Sequence, residues 1–136
     1  AVFLSSLLVL TGIETVTHGT LTPGGGFQGG VILASGIYVI YLGTNYVTVE
    51  RFQPDLLLEA SDGVGAFGYV VIGLLGLLAG ASFLSNVVGL GVTGNPISGG
   101  TIPLLNLVVG VEVVAGFAIL ASEFLDQTAV IRTRRR

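Results

Sequence analysis

Residues 102–125 read IPLLNLVVGVEVVAGFAILASEFL. From Pro103 to Ser122, only Asn106 and Glu112 interrupt a run of apolar and small residues. A helix needs about 20 such residues to cross a bilayer, and this one is apolar on every side, which suits lipid rather than a water-facing surface. Working outward, 63–90 (GVGAFGYVVIGLLGLLAGASFLSNVVGL) passes the same test. Residues 27–46 reach the required length once Thr44, Asn45 and Tyr46 are counted, and 1–17 (AVFLSSLLVLTGIETVT) is marginal. The sequence therefore predicts an all-α integral membrane protein, a single domain with four transmembrane helices at about 1–17, 27–46, 63–90 and 102–125. Ala1 stands where a chain would start with Met, so the first helix is expected to be longer than the residues given. It has neither the basic flank nor the cleavage site of a signal peptide.

Composition supports this reading. Of 136 residues, 51% are hydrophobic, 22 are glycine and 10% are charged, against about 25% charged in soluble domains. Mean hydropathy is +0.92. A soluble fold of this size could not cover four such helices, and disorder needs the opposite composition. With no cysteine and one histidine, disulfides, thiolate-ligated clusters, a cysteine nucleophile and a His-rich metal site are excluded. A net charge of −3 with no lysine argues against nucleic acid as a partner.

The five basic residues are all arginines: Arg51 in the 43–62 loop, and Arg132, Arg134, Arg135 and Arg136 in the tail. Four spans put all five on one side, and the positive-inside rule places both termini in the cytoplasm of a multi-pass cell-membrane protein. The acids of the same loop (Glu50, Asp55, Glu59, Asp62) read as a surface segment, with an interfacial helix over 54–60.

Glycine spacing marks close helix packing: Gly76 with Gly80 as GxxxG, and Gly26, Gly30 and Ala34 at successive four-residue steps. In the loop Thr22-Pro23-Gly24-Gly25-Gly26-Phe27-Gln28-Gly29-Gly30, Thr22 is placed to cap the second helix and Pro23 to open its first turn. The spacing is not a dinucleotide fingerprint, and no Lys-Ser/Thr follows to make a Walker loop.

Glu112 is the sharpest single feature, about 15 Å from either end of its span. A carboxylate there must face protein or water, or be protonated, and such residues mark ion or proton paths. Ala115 and Gly116 give its face a small surface. Glu14 and His18, spaced i, i+4, share a helix face and form a second candidate for proton passage. Asn86 and Asn106 are candidates for interhelical hydrogen bonds. These features assemble neither a catalytic constellation nor a cofactor loop. The chain reads as a non-catalytic subunit of something larger, with no cofactor and no metal site of its own.

The string 18–30, HGTLTPGGGFQGG, resembles the B-type component of the multi-subunit, Mrp-type sodium/proton antiporters, whose first two spans are joined by a PGGGF-x-GG loop. The final span, Gly99-Gly100-Thr101-Ile102-Pro103-Leu104-Leu105-Asn106 and onward through Gly110, is similar as well. Pro23, Gly24, Gly25, Gly26, Phe27, Gly29 and Gly30 are the residues carried over. The resemblance implies other Mrp-type membrane subunits as partners, and sodium ions and protons as the species moved. The same component occurs in archaeal membrane-bound hydrogenase and sulfane-sulfur reductase complexes, which couple ferredoxin oxidation to sodium or proton pumping. Gln28 and the Thr22-Pro23 start are closer to that branch. A stand-alone antiporter subunit and a purely structural scaffold are the alternatives. The pattern departs from the family where Asn106 stands in place of an aspartate.

Overall fold

The computed structural model describes residues 1–43 and 55–134, and the side chains among these other than 55, 125, 126 and 128–134. Over these residues the chain is helical with connecting loops: α1 (Val2–Thr17), α2 (Gly26–Gly43), α3 (Asp55–Leu78) and α4 (Ile102–Arg134). The extension of the second span to Tyr46, together with Glu50, Arg51, Arg135 and Arg136, lies outside the described residues.

Among the described residues, three helices are long and apolar enough to cross a membrane: Gly26–Gly43, Leu56–Leu78 and Ile102–Phe124. The last is 23 residues, about 34 Å at 1.5 Å per residue, against a hydrocarbon core of about 30 Å. α1 is apolar but has 16 residues, about 24 Å.

The helices alternate in direction and pack in the order α1, α2, α4, α3. Glycine sets the closest approaches. A Cβ on Gly12 would stand 2.6 Å from Leu33, and one on Gly36 would stand 3.4 Å from Ser5 O, so α1 and α2 are antiparallel. Gly26 lies on the Asn106 backbone and Gly30 on Val113 and Gly110, which makes α2 parallel to α4. The Tyr38 hydroxyl of α2 donates to Phe117 O of α4. Gly65 faces Glu112 and Gly68 faces Val108, so α3 runs antiparallel to α4. Without a hydrophobic drive between helices in lipid, such contacts must come from close van der Waals packing, which small residues permit. The Gly26, Gly30, Ala34 series therefore serves contacts within this chain.

The third span is displaced from its expected place. α3 covers Asp55–Leu78 rather than 63–90, and of the 54–60 segment read as an interfacial helix, the described part, 55–60, forms its first turns. Asp55, Glu59 and Asp62 recur at i, i+4 and i+7, so they occupy one face and leave the others apolar. Gly80 ends the helix with φ +77°, a backbone state that glycine adopts without penalty. Gly80 N donates to Leu77 O and Ala81 N to Gly76 O, the paired bonds of a Schellman termination. Gly76 and Gly80 are thus a helix end rather than a GxxxG interface.

Residues 79–101 are irregular and turn back along α3. Leu84 N donates to Gly73 O, the Phe83 ring covers Gly73, and Ser82 and Ser85 cover Gly76. At the far end of this segment Thr101 is 2% exposed. Its hydroxyl donates to Asn86 Oδ1 at 2.7 Å and accepts from Val87 N at 3.1 Å. Thr101 N also donates to Asn86 Oδ1. The segment meets the α1–α2 loop through Thr20, whose hydroxyl donates to Pro96 O.

Candidate functional site

The seam between α3 and α4 carries the acids that lipid would not tolerate. Glu112 is the tenth residue after Ile102, about 15 Å into the helix. A Cβ on Gly65 would stand 2.6 Å from its Cβ and 2.9 Å from its Cα and backbone N. The opposing helix is therefore bare where the glutamate stem lies against it. One turn further along α4, Asp62 Oδ1 is 3.7 Å from the Cβ position of Gly116. Both acids are half-buried.

The antiparallel register sets Glu112 level with Gly65 and Asp62 level with Gly116, about 6 Å apart along the seam. Asp62 is the seventh residue of the Leu56–Leu78 span, about 9 Å in. Toward that same end the seam continues to Glu59, which is exposed, and at the corresponding end of α4 Glu123 is exposed too. The described side chains include no arginine or lysine to neutralise these carboxylates. Carboxylates at this depth must face protein or water, and such residues mark ion or proton paths. Sequence alone finds Glu112 and places Asp62 in a loop. The available signal is the i, i+4, i+7 spacing of Asp55, Glu59 and Asp62, which is helical and runs into Gly65.

The glycine loop is a structural hub at the opposite end of the molecule. Gly24 and Gly25 have φ +153° and +151°, a region open essentially to glycine alone. Asn106 of α4 sits inside the loop. Its Oδ1 accepts from Gly26 N at 3.3 Å, and its side chain fills the space beside Gly19 and Gly25. Asn106 therefore supplies the acceptor at the start of α2 from 80 residues away. Thr22 does not cap that helix: its hydroxyl donates to His18 O. Pro23 precedes the helix rather than opening its first turn. Gly29 and Gly30 serve the α1 and α4 contacts respectively. Pro23 and Phe27 are exposed, Phe27 by 57%.

Glu14 and His18 do not form a side-chain pair. His18 caps α1 with its N–H on Glu14 O, and its Nδ1 lies 3.3 Å from that same carbonyl and 3.1 Å from Thr17 Oγ1. Glu14 is exposed. Neither residue joins Glu112, which faces α3 on the other side of α4. Among the described residues there is no group of three or more His, Cys, Asp or Glu able to hold a metal ion.

A family model described as a domain related to the MnhB subunit of Na+/H+ antiporters matches residues 1–119. An uncharacterized protein of Methanocaldococcus jannaschii is 38% identical over 126 residues, covering 87% of this chain and 47% of that protein. The chain thus spans about half the length of this curated relative.

Proposed function

Because the chain belongs to the family of domains related to the MnhB subunit of Na+/H+ antiporters, we propose that it is a non-catalytic membrane subunit of an Mrp-type cation/proton antiporter module. All four helices cross the cell membrane in this proposal, with both termini cytoplasmic as the arginine distribution requires. Other Mrp-type subunits surround it, and exposed Pro23 and Phe27 are the motif residues free to meet them. The chain lines part of a hydrated path for sodium ions or protons along the α3–α4 seam. The module belongs to an archaeal ferredoxin-linked complex of the hydrogenase or sulfane-sulfur reductase kind, a placement supported by Gln28 and the Thr22-Pro23 start. Redox chemistry there resides in other chains.

The observation that carries the ion-path reading is the half-buried pair of Glu112, near the middle of its helix, and Asp62, one turn nearer the helix end, on a glycine-bared seam. Replacement of Glu112 by Gln in the assembled complex is expected to lower sodium-dependent proton transport at least tenfold with subunit composition unchanged. Normal transport and assembly would remove Glu112 from the path. The structural scaffold reading draws on a different observation, that the motif glycines are spent on contacts within the chain. It predicts lost assembly in the same variant.

A further inference from the structure

The seam between α3 and α4 has two unlike ends. Toward the start of α3, carboxylates step from half-buried Glu112 through half-buried Asp62 to exposed Glu59. By the register that sets Gly65 level with Glu112, Glu59 lies about 9 Å away along the axis. Toward the end of α3 the series stops. The polar side chains of 66–76 and 102–111 are Tyr69 and Asn106, and neither carries a charge. Asn106 is turned to the glycine loop, where it accepts from Gly26 N.

That second end is also closed. The same register sets Gly76 level with Thr101, and Gly76 lies about three turns beyond Gly65, so the two share a face of α3. On this face the folded-back segment takes over where α4 stops. Ser82 O and Ser85 N lie over Gly76, and the Phe83 ring lies over Gly73. Gly73, Gly76 and Gly100 are all buried. The segment is bonded to both walls of the seam. Leu84 N donates to Gly73 O of α3 at 3.2 Å. Asn86 lies against Gly100, and its Oδ1 accepts from both N and Oγ1 of Thr101 at 2.7 Å, at the start of α4. About 16 Å of charge-free seam separates Glu112 from this closure. We infer that residues 82–86 plug one end of the acid seam, so that water and cations reach Glu112 from the Asp62 side alone. The inference rests on the ion-path reading of that seam, under which this chain supplies an inlet and not a complete crossing. A carboxylate at the depth of Glu112 needs protein or water around it, and the Asp62 end is where that water enters.

The chain has no cysteine, so single introduced cysteines report access. The complex is sealed into vesicles and treated on one side at a time with a membrane-impermeant, cationic methanethiosulfonate, and modification is read on this subunit by mass. Thr133→Cys marks the Asp62 side. Glu112→Cys is expected to react at least tenfold faster from that side than from the other. Untying the plug with Phe83→Ala and Asn86→Ala should raise the reaction of Glu112→Cys from the plug side at least tenfold. Equal reaction from both sides, reaction from neither, or no change on untying would overturn the inference. A second measurement needs no substitution and covers failure of these variants to assemble. In the native complex, a water-soluble carbodiimide with a charged amine should modify Glu112 from the Asp62 side alone. Modification from both sides, or from neither, would overturn the inference as well. Normal transport in Glu112→Gln would remove the ion-path reading and leave the labelling results standing, so the two fail separately.

Discussion

Two alanine substitutions in α3, two residues apart, test the closeness of the acid seam. Gly63 and Gly65 lie in the same helix, and each gains about 0.8–1 kcal/mol of helix propensity when replaced by alanine. A Cβ on Gly63 would meet nothing within 4 Å, whereas one on Gly65 would stand 2.6 Å from Glu112 Cβ and 2.9 Å from both its Cα and N. Two of those atoms are backbone and cannot swing aside, so α3 must shift away from α4 by several tenths of an ångström. Overpacking of this kind costs about 1–3 kcal/mol. Gly63→Ala should therefore stabilise the chain by about 1 kcal/mol, and Gly65→Ala should leave it between neutral and about 2 kcal/mol less stable. The assay is equilibrium unfolding of the purified chain in mixed micelles with increasing dodecyl sulfate, followed by circular dichroism. Two variants of equal stability would refute the close approach of α3 to Glu112, and with it the register that sets Asp62 one turn from that residue.

Other substitutions address the loops and the topology. Gly25→Val forces a β-branched residue to φ +151°, costing about 1–3 kcal/mol of backbone strain, and should reduce the amount of this chain recovered in the complex; full recovery with normal transport would free the loop from any role. Thr101→Val leaves Val87 N without its acceptor and takes one of two donors from Asn86 Oδ1, at about 1–3 kcal/mol, and limited proteolysis within 79–98 should quicken several-fold. A cysteine introduced at Thr133 should react with a membrane-impermeant maleimide from the cytoplasmic side alone, and labelling from outside would reverse the proposed orientation.

Local pattern makes α1, α2 and α4 legible, because long runs of apolar and small residues without internal turn signals read as helix. It fails at α3, where mean hydropathy discounts Glu59 and Asp62 and credits Phe83, Val87 and Val88. The helix instead begins among the acids and stops at Gly80. The hydropathy scale carries no information about which face a charge occupies or whether a glycine is at positive φ. At the candidate site, Glu112 can be read from depth alone, but Asp62 needs the correct helix start. The Asn106 contact with Gly26 joins positions 80 residues apart, and no local rule reaches that far, so sequence alone assigns the start of α2 to its neighbours Thr22 and Pro23. Thr101 is hidden for the same reason, since its partners come from a stretch without periodicity.

The backward fold of residues 79–101 also bears on how the protein is made. From Gly63 to Val111 there is no Asp, Glu, Lys, Arg or His, so in the proposed four-span topology carrying this loop across the bilayer moves no charge through hydrocarbon. A single Asp, Lys or Arg at mid-membrane would cost about 2.5–3.5 kcal/mol on the insertion scale. The contacts of Phe83 and Leu84 with Gly73 involve residues about ten apart, so they can form as soon as α3 leaves the ribosome, before α4 has been synthesised. These contacts therefore need only α3 and the loop, whereas closure at Asn86 waits for Thr101.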